Sequence, residues 1–102
     1  MATLHTVNKS PFATQTLLSC LGHAKDGDTI LMIEDGVLGA SAGSGLADAL
    51  RAGMKSVKIC ALAPDLSARG IDAGRVIEGI ELVDYDGFVS LAASHELAHA
   101  WL

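Results

Sequence analysis

The chain has 102 residues and a net charge of −5, with half of its residues apolar and only 19% charged. It has no Lys/Arg cluster to make phosphate contacts, no apolar run near the ~18 residues of a membrane span and no basic-then-apolar leader, so nucleic acid, membrane and export are not expected. Two cysteines outside any CxxC pair fit reduced thiols in a cytoplasmic protein.

Residues 1–102 read as one small domain without linker or repeat. Aromatic residues are scarce, so Leu, Ile, Val and Ala must build the core. The apolar surplus predicts that some surface is hidden against other subunits. Leu4–Val7 reads as a buried strand and Asn8–Pro11 as a turn. Phe12–Ala24 reads as a helix, with Ser10 as N-cap and Pro11 suited to its first position. Leu17, Leu21 and Ala24 share a face of it, which Leu18 widens. Asp26-Gly27-Asp28 turns the chain into a second strand, Thr29–Ile33. Glu34-Asp35-Gly36-Val37 and a small-residue stretch to Gly45 follow. A helix runs from Leu46 to about Ala52, with Gly53 as its stop. The third strand, Val57–Leu62, leads into Ala63–Gly70, where Asp65 caps a short helical turn and Gly70 forms its exit. Ile71–Gly79 carries no clear signal. Ile80–Val83 is the fourth strand. Asp84 caps a last helix from Tyr85 through Leu91 and beyond, and Trp101 anchors the end in the core or against a neighbour. Strands separated by helical segments imply crossovers. The expected fold is therefore α/β, with a mainly parallel sheet of about four or five strands flanked by helices.

Cys20 is the sharpest candidate for chemistry. Helical spacing puts it on the flank of the apolar stripe with His23 three residues on, where an imidazolium would raise the thiolate fraction. Free cysteine is more often a small buried hydrophobe, and both readings stand open. Cys60, inside a continuous apolar strand, reads as core. His95-Glu96-Leu97-Ala98-His99 matches the zinc-protease pattern H-E-x-x-H, but almost no downstream chain remains for a third ligand, so a solvated terminal helix is expected and no metal. Gly43-Ser44-Gly45 starts like a dinucleotide loop, yet Asp48 stands where a third glycine belongs, and an aspartate there repels phosphate. His5 reads as a strand histidine satisfied by hydrogen bonds. No Ser/His/Asp set stands out.

Leu4-His5-Thr6-Val7-Asn8-Lys9-Ser10-Pro11-Phe12, Ile33–Val37, Ala61–Gly70, Val83–Val89 and Ala100-Trp101-Leu102 together resemble the TusB/DsrH family, in consistent order over essentially the whole chain. The resemblance implies a DsrE-like fold and a cytoplasmic heterohexamer. In it, two copies of this chain sit with two each of DsrE/TusD-like and DsrF/TusC-like sister subunits and serve a DsrC/TusE-like sulfur carrier. In the TusBCD branch the assembly relays persulfide sulfur toward tRNA 2-thiouridine. In the DsrEFH branch it passes sulfur to DsrC during dissimilatory oxidation. In both, the principal acceptor cysteine belongs to a sister subunit, and no cofactor is implied. Cys20 matches a cysteine typical of the DsrH branch, which favours that branch, with Cys20 as an auxiliary sulfur acceptor and His23 as modulator of its acidity. A TusB-like role and a purely architectural subunit are the alternatives.

Overall fold

The computed structural model describes residues 2–102. Five strands, β1 (Thr3–Val7), β2 (Thr29–Met32), β3 (Lys58–Leu62), β4 (Glu81–Val83) and β5 (Leu97–Trp101), form one sheet in the order β4-β3-β2-β1-β5. Every neighbouring pair is parallel. Each crossover therefore needs a covering segment, and α1 (Thr16–His23), α2 (Ala47–Gly53), α3 (Ala63–Ala68) and α4 (Tyr85–Ser94) supply them together with three 3-10 segments.

The direction of travel decides which face each helix covers. From β1 to β4 the chain steps one way across the sheet, and a right-handed crossover puts those helices on one face. Leu17 and Cys20 of α1, Leu50 of α2 and Leu66 of α3 pack there with Val7, Ile30, Met32, Ile59 and Ala61. The step from β4 to β5 runs back past the whole sheet, so α4 lies on the opposite face. Its Phe88 and Leu91 pack against Leu4, Leu31 and Cys60.

The four expected strands form to within a residue of their expected bounds, and β2 and β3 are nearly continuous apolar runs buried on both faces. Asp84 is the expected cap of α4, accepting from Gly87 N at 2.7 Å. Gly70 leaves α3 at φ +69° as expected. Gly36 is dictated by close approach, since a Cβ there would collide with the Val7 carbonyl.

Three expectations are corrected. The first helix starts at Thr16, not Phe12. The Ser10 carbonyl accepts from Ala13 and Thr14, and the Ser10 hydroxyl from Phe12, so residues 10–14 close a separate turn that leaves Phe12 exposed. Asp65 does not cap α3; Leu62 is the N-cap, and the Asp65 carboxylate accepts from Glu34 N at 2.6 Å while Glu34 sits at φ +50°. The terminal helix stops at Ser94. His95 turns extended and donates Nδ1–H to the Leu91 carbonyl at 2.7 Å, satisfying the helix end, while its Nε2 accepts from the Thr29 hydroxyl at 2.9 Å. The remaining residues take the open edge of β1 as a fifth strand. Among the described residues no helix is long and apolar enough to cross a membrane.

Candidate functional site: a histidine–tryptophan cluster beside a buried thiol

The polar centre of the fold gathers His5 in the middle of β1, Asp28 just ahead of β2 and Trp101 at the carboxyl end of β5. His5 and Asp28 are each only 4% exposed. Asp28 directly precedes β2, and its carboxylate gathers three donors: Thr3 N to Oδ1 at 3.0 Å, Lys25 N to Oδ2 at 3.0 Å and His5 Nε2 to Oδ2 at 2.9 Å. Burial opposes ionisation, but these hydrogen bonds outweigh it and hold the carboxyl down to about 2. The other His5 nitrogen, Nδ1, accepts from Trp101 Nε1–H at 3.0 Å. An indole N–H only donates, so Nδ1 is the acceptor and the hydrogen sits on Nε2. Strand register makes this meeting possible, because β5 brings His99 level with His5 and Trp101 level with Val7. His99 stacks on the Trp101 ring with centroids 4.8 Å apart, and His23 meets that ring edge-on at 5.7 Å.

A cavity of about 700 Å³ opens beside this cluster, lined by His5, Asp28, His23, Lys25 and the outer stretch of β5. Its His/Asp pair resembles an acid–base dyad, but both imidazole nitrogens and both carboxylate oxygens already have partners. Both imidazole nitrogens are engaged, so His5 holds no free nitrogen for a substrate proton, and the pair ties β1, β2 and β5 together.

Cys20 is fully buried, facing the core and not the helix flank. Burial pushes its thiol up to about 12, and the nearby Asp28 charge adds to the shift. His23, one turn on, meets the edge of Trp101, and among the described residues no hydrogen bond links it to Cys20. Cys60 is core, as its sequence context indicates; burial, then the Glu81 carboxylate, push its thiol up to about 11, and Sγ donates to Glu81 Oε2 at 3.7 Å. H-E-x-x-H does not lie on a helix: His95 caps α4 and His99 lies in β5. Among the described residues no group of three or more His, Cys, Asp or Glu is placed to hold a metal. The Gly43–Gly45 loop folds on its own hydrogen bonds, Gly43 N to Ser41 Oγ and Ser44 Oγ to the Gly39 carbonyl, ahead of a seven-residue helix.

Two contacts of this cluster lay beyond sequence reasoning. Asp28 reads as a turn residue, and Trp101 reads only as an anchor. Their convergence on His5 spans 23 and 96 positions, and only strand order reveals it.

Residues 9–97 match a family model described as "DsrH like protein". Protein TusB of Enterobacter sp. (strain 638) is 39% identical over 100 residues, covering 96% of this chain and 99% of the relative. Protein TusB of Escherichia coli (strain K12) is 37% identical over 98 residues, with the same coverage. Among solved structures, the ychN protein from E. coli superposes with a TM-score of 0.76 at 16% identity, over 98% of this chain and 99% of that one. That likeness concerns the fold.

Proposed function

Because the chain belongs to the family of DsrH-like proteins, we propose that it is a subunit of a sulfur relay of the TusB kind. It works in the cytoplasm with TusC-like and TusD-like sister chains, two copies of each, and passes sulfane sulfur through a TusE-like carrier toward tRNA 2-thiouridine. The observation that carries this reading is the similarity to proteins named TusB over nearly the full chain.

The role within the relay follows from thiol chemistry. Sulfur moves between cysteines when a thiolate attacks a persulfide. Cys20 and Cys60 are fully buried, and burial holds both in the thiol form. The acceptor thiol therefore belongs to a sister subunit, and this chain supplies surface. Exposed Phe12, Tyr85, Val89 and Leu97 suit burial against related chains. With a net charge of −5, the chain leaves contact with tRNA to other components.

In a host lacking its own TusB, the wild-type chain should restore 2-thiouridine in tRNA, and Cys20→Ser should restore it equally. Failure of the wild-type chain, co-expressed with its own sister chains, would remove the tRNA reading. The match to the DsrH model supports a second reading, delivery to a DsrC-type carrier in sulfur oxidation with Cys20 as auxiliary acceptor. A sulfur adduct on Cys20, found by mass spectrometry of the native complex and absent in Cys20→Ser, is the result that would favour it.

A further inference from the structure

The two edges of the sheet are built differently. β4 has three residues, and Glu81 on it is ion-paired to Lys58 at 2.7 Å. Short length and charge are the usual devices that keep a sheet edge from pairing. β5 has five residues, Leu97-Ala98-His99-Ala100-Trp101, with no Lys, Arg, Asp, Glu or Pro among them, and all but Trp101 are exposed. It pairs with β1 on one side only, so one row of its backbone N–H and C=O groups is open to a further strand.

We propose that this edge takes β5 of a second copy of the chain, antiparallel about a two-fold axis at His99. The occupant follows from the order of residues in the strand. Around that axis Leu97 stands opposite Trp101 of the second copy and Ala98 opposite its Ala100. Aliphatic–aromatic pairs are among the favourable cross-strand contacts, and no formal like charges meet along Leu97–Trp101. Alternation sorts the pairs by face. Leu97, His99 and Trp101 share the face of Thr3, His5 and Val7, while Ala98 and Ala100 share the α4 face. One face thus gains two Leu–Trp pairs flanking a central His–His pair. The other gains four alanines, small enough for the two α4 helices to approach. Such an isologous contact closes on itself and yields a dimer, not a filament.

The cavity beside His5 and Asp28 runs along this same strand, from Leu97 to Ala100. The second copy's β5 then lies next to this lining.

The test uses the full chain. At about 100 µM it sediments as a dimer, because association follows mass action. His99→Lys and His99→Glu each place two like charges on the axis and sediment as monomers; an equimolar mixture of the two regains the dimer. Far-UV circular dichroism and Trp101 fluorescence check that the variants fold. As a second measurement, Ala98→Cys/Ala100→Cys forms inter-chain disulfides under mild oxidation, in the isolated chain and in the native complex alike. Asp48→Cys, on exposed α2, does not. A monomeric wild-type chain overturns the proposal, as does a dimer that His99→Lys leaves intact or cross-linking no faster at β5 than at Asp48. Cross-linking of β5 to a co-expressed sister chain alone assigns the edge to that sister and overturns it equally.

Discussion

At the scale of single residues, Asp28 is a buried carboxylate held by three hydrogen bonds. Its carboxyl falls from an ordinary 3.8 to about 2 because three hydrogen bonds to the anion outweigh the cost of burying it. A group more acidic in the folded chain than in the unfolded one favours folding while it is ionised. Its contribution, about 2 kcal/mol on this shift, is complete above pH ~4 and disappears as pH falls toward ~2. Asp28→Asn should therefore lower unfolding stability by about 2–3 kcal/mol at pH 7, and the gap from wild type should narrow in denaturant titrations at pH 2–3. The cysteines give a second expectation. Native protein should resist a thiol-labelling reagent at both Cys20 and Cys60 until denaturant exposes them, since each is fully buried with its thiol pushed up to about 12 and about 11. Labelling of either thiol at the rate of a free one would contradict the burial. Cys20→Ser should cost about 1–2 kcal/mol by placing a hydroxyl in an apolar contact set, read as a fall in denaturation midpoint.

At the scale of elements, local signals and long-range pairing divide what the sequence discloses. β2 and β3 are legible because strands buried on both faces are nearly continuous apolar runs, and α4 begins where Asp84 caps it. The start of α1 is hidden because Ser10 serves a turn with the same side-chain chemistry that would cap a helix. β5 is hidden because His95–His99 satisfies a helical pattern, and alanine carries no strand preference; its strand state comes from the open edge of β1. The candidate site is hidden for the same reason, since His5, Asp28 and Trp101 converge only once strand order is known. Trp101 accordingly tests the element it ends. Trp101→Phe keeps most of the packing but leaves His5 Nδ1 without its donor, and should lower stability by about 1–2 kcal/mol in thermal or chemical melts; Trp101→Ala should cost more, about 3 kcal/mol. Glu34 tests the turn after β2. At φ +50° its Cβ is strained, so Glu34→Gly, which keeps the N–H donated to Asp65, should stabilise the chain by about 0.5–1 kcal/mol, and a lower melting temperature would show that the strain is absent.

At the scale of the whole molecule, the two faces of the sheet are covered unequally. Three helices and a continuous set of fully buried side chains lie on one face. On the other, α4 alone covers a cluster of three buried residues, and no residue of α4 is itself fully buried. β5, which follows α4, touches the sheet through one neighbour and exposes four of its five residues. Local stability follows buried contact, so α4 and β5 together should form the unit that opens at lowest free energy, while β2 and β3 at the centre open only with the global transition. Among the described residues, the links from Trp101 to His5 and from His95 to Thr29 are the side-chain hydrogen bonds that tie this unit to the central strands. Native-state hydrogen exchange on the isolated chain should accordingly show the amides of Tyr85–Trp101 exchanging first and those of Ile30–Met32 and Ile59–Ala61 last. A chain that occupies the outer edge of β5, whether a second copy or a sister subunit, adds a second row of hydrogen bonds to that strand. In the assembled complex, protection should therefore rise in Leu97–Trp101 far more than at the centre of the sheet. Equal protection across the sheet of the isolated chain would mean that the weakly covered face is not the weak part of the fold.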